Sequence, residues 1–84
     1  MEASLDRVIR CVEEVFRNKG ASPPVLGPST PLTQELGLDS LDYAELVARL
    51  EYAFGFDPFA SGVPREIRTL TDLASLYERP NVAP

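Results

Sequence analysis

The sequence predicts an all-α fold, a bundle of three longer helices and one short helix with a long loop between helices one and two. Three observations carry that prediction. Apolar residues recur at the three-and-four spacing of a helical face in separate segments. A stretch rich in proline, glycine and serine interrupts them between residues 21 and 34. Nowhere does apolar–polar alternation last long enough to make a strand, and β-branched residues are scattered. At ~100–200 residues per domain, the 84 residues make one domain. Its expected extent is 1–79, with 80–84 a flexible tail after the helix-ending Pro80.

The first helix is read from Leu5, Val8, Ile9, Val12, Val15 and Phe16, which share one face. Arg7, Arg10, Glu13, Glu14 and Arg17 fill the remainder, with Glu13 and Arg17 a favourable i,i+4 pair. Asn18-Lys19-Gly20 ends it, a cation at the negative pole followed by a glycine able to take positive φ. Cys11, at the edge of the stripe, reads as a small buried hydrophobe.

Pro23, Pro24, Pro28 and Pro31 exclude a helix in the next segment. Val25, Leu26 and Leu32 are apolar, so parts of the loop are expected to fold back on the core. The second helix is predicted from Ser40 to about Phe54, burying Tyr43, Leu46, Val47, Leu50 and Phe54 and stopping at Gly55. A short third helix is expected from Pro58 to Ser61, after the N-cap Asp57, or from Pro64. The last helix starts after Thr69-Leu70-Thr71-Asp72, a near capping box, and turns Leu70, Leu73, Ala74 and Tyr77 inward.

Charge and composition narrow the function. Thirteen acids against eight bases give a net charge of −5 with no histidine. Sequence-independent nucleic-acid binding needs the opposite balance. Without histidine the commonest general base and metal ligand are missing, so a self-contained hydrolase or zinc site is not expected. One cysteine cannot close an internal disulfide, which suits a reducing cytoplasm. No apolar run approaches the ~20 residues of a membrane span, and Met1-Glu2-Ala3 does not begin a secretory leader.

The informative stretch is Leu36-Gly37-Leu38-Asp39-Ser40-Leu41. A serine at the mouth of an amphipathic helix lies close to backbone N–H groups that have no intrahelical partner. A phosphate attached there would sit at the positive end of the helix dipole. Gly37 allows a sharp turn before the helix, and Leu41 sets an apolar group beside the serine. An Asp-Ser-Leu triplet alone is far better explained as an ordinary N-cap.

The larger context decides otherwise. From about residue 4 to 78 the chain resembles an acyl carrier protein: a helix, a long loop, Leu36 to Leu41 opening an acidic second helix, a short helix, and a final helix after Thr69. The resemblance implies that Ser40 receives 4′-phosphopantetheine from coenzyme A through a phosphodiester, installed by a Mg²⁺-dependent phosphopantetheinyl transferase. Asp39 and Leu41 would flank it as recognition residues, and the arm's thiol would hold an acyl group as a thioester. The chain would then be a discrete, non-catalytic carrier. It would be a cytoplasmic monomer, loaded by an acyl-activating ligase or acyltransferase and served by a ketosynthase or other condensing enzyme. Fatty-acid, polyketide and specialised lipid assembly are the implied pathways.

Helix two would be the docking surface, with Asp42, Glu45 and Glu51 as solvent-side acids beside an apolar strip of Leu41, Ala44 and Ala48. Between Glu35 and Asp57 six acids face the single base Arg49, so the whole net charge of −5 falls on this segment. Departures from the family's usual pattern are Tyr43, Arg49, Tyr52 in place of a common acid, and the aromatic run Phe54, Phe56 and Phe59. They lean toward a specialised pathway. The phenylalanines are expected to pack under a short loop. The alternatives are a free-standing peptidyl or aminoacyl carrier of nonribosomal synthesis, which shares fold and serine, and a carrier-like interaction domain that is never modified.

Overall fold

The structure, a computed structural model, describes residues 3–59 and 67–78. Three α-helices follow one another: α1 over Ser4–Asn18, α2 over Ser40–Phe54 and α3 over Leu70–Leu76. A 3-10 turn at Gln34–Leu36 precedes α2. Among the described residues there is no strand, only an isolated antiparallel bridge between Pro31 and Thr69. The tail 80–84, the second candidate start at Pro64 and the first candidate helix beyond Phe59 lie outside the described residues; Pro58 and Phe59 form a turn, in which Phe59 N–H donates to Asp57 Oδ1 at 2.9 Å.

Each helix end has a local cause. At the end of α1, Gly20 adopts φ +82°. Its N–H donates to Arg17 O at 3.0 Å, and Ala21 N–H donates to Phe16 O at 2.9 Å, the paired closure of a Schellman motif. α2 begins with a capping box. Asp39 Oδ1 accepts from Asp42 N–H at 2.9 Å, and Asp42 Oδ2 accepts from Asp39 N–H at 3.0 Å. It ends at Gly55, φ +85°. α3 has its own box, Thr69 with Asp72, in which both bonds are 3.2 Å. The helix stops at Leu76, short of the Pro80 predicted to end it, as Tyr77 and Glu78 N–H donate to the Ala74 and Ser75 carbonyls.

The core is built on α1, which packs against both α2 and α3. Val8, Val12, Val15, Leu50 and Leu70 are wholly buried, and Phe16, Leu38, Leu46, Leu73 and Ala74 surround them. Of the predicted α2 face, Leu46 and Leu50 are fully buried, while Tyr43, Val47 and Phe54 are half-buried. Cys11 is buried too, and that burial pushes its thiol pKa upward.

Residues 21–33 contain no helix. Part of this connection is bonded to the entry of α3: Leu32 N–H donates to Arg68 O at 2.8 Å, Leu70 N–H to Thr30 O at 3.1 Å, and Thr71 N–H to Pro28 O at 3.1 Å. Leu26 and Leu32 pack against the core, whereas Val25 stands in solvent. Phe54 stacks on Tyr77 with centroids 4.8 Å apart, and Phe56 meets the same ring at 5.8 Å. No helix of the described residues is long and apolar enough to cross a membrane.

Candidate functional site

Ser40 is the first residue of α2 and is exposed. Its hydroxyl makes no hydrogen bond among the described residues. The N–H groups of Ser40 and Leu41 point out of the first turn, where a helix offers no carbonyl to receive them. The Asp39 carboxylate satisfies Asp42 N–H instead. The serine is therefore presented on a capped helix start with unpaired N–H donors beside it, an arrangement that favours an anionic group there.

The approach to the serine is equally well held. Gly37 takes φ +105°, and a Cβ there would lie 3.5 Å from the Phe16 ring. Lys19, beyond the end of α1, donates from Nζ to Gly37 O at 3.1 Å and also to Asp42 Oδ2. One ammonium thus ties the end of α1 to the turn before α2 and to its capping box. The Lys19 hydrogen bond is the main cause that lowers the Asp42 pKa, and the same bond raises that of Lys19. Lys19, Gly37, Leu38, Asp39, Ser40 and Tyr43 line one open concavity.

The predicted recognition residues fall into two groups. Leu41, Ala44, Ala48 and Glu51 are exposed as expected, and Leu41 is 80% accessible. Asp42 is not a solvent-side acid. It is 9% exposed, because its position in the capping box turns the carboxylate back toward Asp39 and Lys19. The Asp39-x-x-Asp42 spacing carries that signal in the sequence. The Lys19 contact has no such signal, since 23 residues separate the pair. Glu45 is half-buried, accepting from Arg49 Nε at 2.8 Å and Asn18 Nδ2 at 3.1 Å. Arg49 reaches on to Glu14 at 3.2 Å.

Leu32, Tyr43, Leu46, Val47, Leu50, Phe59, Ile67 and Leu73 line a partly open apolar pocket of about 240 Å³. That is room for roughly eight water volumes, in walls that offer water few partners. Phe59 lines it, while Phe54 and Phe56 pack on Tyr77. The Tyr43 and Tyr77 hydroxyls are buried without a hydrogen-bond partner among the described residues, and burial pushes the Tyr77 pKa up to about 12. Among the described residues no group of three His, Cys, Asp or Glu side chains could hold a metal ion.

Comparison with known proteins agrees with this arrangement. Residues 6–77 match the family described as "Phosphopantetheine attachment site". The fold is similar to the solution structure of MacpD, an acyl carrier protein from Pseudomonas fluorescens involved in mupirocin biosynthesis. That match has a TM-score of 0.78 and 34% sequence identity, and covers 95% of this chain and 72% of MacpD. No curated protein sequence matches. The chain belongs to the acyl carrier protein family, whose members are carriers rather than enzymes and whose prosthetic group is covalently attached 4′-phosphopantetheine.

Proposed function

We propose that Ser40 is the attachment residue and that the chain carries acyl intermediates as thioesters for a polyketide or specialised lipid assembly line. One observation carries the reading. The motif serine is the first residue of α2, exposed, with its hydroxyl unengaged among the described residues. The prosthetic group, once bound, supplies the thiol that this end of the chain lacks, since Cys11 is buried. The residues around Ser40 do the rest. Asp39 and Asp42 hold the first turn through the capping box. Lys19 fixes the preceding turn, so the serine oxygen has a constant place and outward direction. Once the group is attached, the free N–H groups of Ser40 and Leu41 would be donors for its phosphodiester oxygens.

The implied partners are the phosphopantetheinyl transferase, a loading ligase or acyltransferase, and a condensing enzyme of the ketosynthase type. The similarity to a mupirocin-biosynthesis carrier supports acyl cargo and the polyketide setting. Incubation with coenzyme A, Mg²⁺ and a broad-specificity phosphopantetheinyl transferase is expected to add one phosphopantetheinyl mass to the wild-type chain and none to Ser40→Ala. No gain with several such transferases would overturn the reading. The loaded carrier offered to acyl- and amino-acid-activating ligases in parallel is expected to accept the acyl group. Preferential aminoacylation would replace acyl by aminoacyl cargo.

A further inference from the structure

Ser40 opens onto a concavity whose described lining residues include one anion, Asp39, and one cation, Lys19. A second anion, Asp42, stands behind them. Its Oδ2 accepts from Asp39 N–H at 3.0 Å and from the Lys19 ammonium as well. That ammonium is thus one carboxylate oxygen away from the backbone that leads into Ser40. Before any modification, this corner of the molecule holds two acids and one base.

Lys19 is the chain's one lysine; the other seven cations are arginines. Its ammonium has three N–H donors. Gly37 O and Asp42 Oδ2 take two of them, and the third has no acceptor among the described residues. The side chain keeps 33% of its surface accessible, so the ammonium stays open to the concavity that Ser40 also lines.

Attachment at Ser40 through a phosphodiester adds a third negative charge here. The Ser40 and Leu41 N–H groups are neutral donors, and they leave the repulsion from Asp39 and Asp42 uncompensated. Resting on the assignment of Ser40, we infer that Lys19 is the counter-ion of the attached arm. Its third N–H donates to a phosphodiester oxygen while the other two stay on Gly37 O and Asp42 Oδ2. A lysine suits the task because its charge is compact and its three donors spread from one atom. It can serve a carbonyl, a carboxylate and a phosphate on three sides at once. The end of α1 then holds the root of the arm, and the pantetheine beyond the phosphate stays free to swing.

The test compares thermal melts of the apo and holo forms at low salt and neutral pH. The holo form is made with coenzyme A, Mg²⁺ and a broad-specificity phosphopantetheinyl transferase, and is verified by intact mass. A lysine that only braced the fold would make Lys19→Met equally costly in both forms. As counter-ion of the arm, Lys19→Met is expected to lower the holo Tm by about 2–4 °C more than the apo Tm. Combining Lys19→Met with Asp42→Asn removes one charge of each sign and keeps an acceptor for Asp39 N–H. The added holo loss is expected to persist there, because the phosphate still lacks its cation. In the unsubstituted chain, the ε-methylene NMR signal of the one lysine is expected to move when the arm is attached. Equal losses in the two forms, an added loss that vanishes in the double variant, or an unmoved lysine signal would each overturn the inference alone. A wild-type chain that gains no mass would overturn the Ser40 assignment and this inference with it.

Discussion

Lys19 joins parts of the chain that lie far apart in sequence. Two of the three donors of its ammonium go to Gly37 O and Asp42 Oδ2, directly beneath the exposed serine. Asp42 is held below the ordinary carboxylate range, first by the Lys19 hydrogen bond. Its contribution to stability is therefore complete above the unfolded-state pKa of ~3.9 and is lost as pH falls through the lower folded value. Lys19 is raised by the same bond. Its contribution is complete below the unfolded pKa of ~10.4 and is lost as pH rises through the higher folded one. Thermal melts of Lys19→Met are expected below the wild type near neutral pH, with the gap narrowing as pH falls from about 5 to 2. A gap constant through the acid range would show that the pair does not act on stability. Asp42→Lys removes a capping acceptor and sets a second ammonium against Lys19, so it is expected to melt lower than Lys19→Met. A reduced partner affinity in Asp42→Lys would then report an altered first turn of α2.

At the scale of the helices, stop and start chemistry was legible. Gly20, Gly55 and Thr69-x-x-Asp72 are local patterns, and each produces the predicted cap; Asp39-x-x-Asp42 is equally local and closes a capping box, which withdraws Asp42 from the solvent-side role expected of it. Those bonds form between residues a few positions apart, so spacing alone describes them. The length of α3 was not legible. Its apolar pattern runs through Tyr77, yet the helix ends at Leu76 and Tyr77 turns its ring onto Phe54 and Phe56. Seven residues are too few for a helix that stands alone. α3 persists because Leu70, Leu73 and Ala74 are buried and its entry is bonded to Pro28 and Thr30. The cap matters correspondingly more. Thr69→Ala is expected to cost about 1 kcal/mol, read as a lower urea midpoint at unchanged slope. An unchanged midpoint would mean that the tertiary bonds to the loop hold α3 without its cap.

For the molecule as a whole, stability rests on one small core. A chain of 84 residues has on the order of 4–13 kcal/mol in total. Leu50 is wholly buried and also lines the apolar pocket, so its truncation enlarges a void that neighbours do not close. Leu50→Ala is expected to cost about 3–5 kcal/mol, measured by urea denaturation. A cost under about 1 kcal/mol would mean that the walls collapse into the space. The helices, the serine at the start of α2 and the carrier-like order of elements were determined by the sequence itself. Helical periodicity, caps and the Leu36–Leu41 motif are relations among near neighbours. Which acids remain available to a partner was decided only by the tertiary structure. The −5 charge of the segment from Glu35 to Asp57 reads from the sequence as an open acidic surface. In the fold, the way α1 lies along α2 brings Lys19 to Asp42 and Glu14 to Arg49, and leaves Leu41 and Tyr52 in solvent. Pairing across helices depends on how two faces meet in space, and no local spacing encodes that.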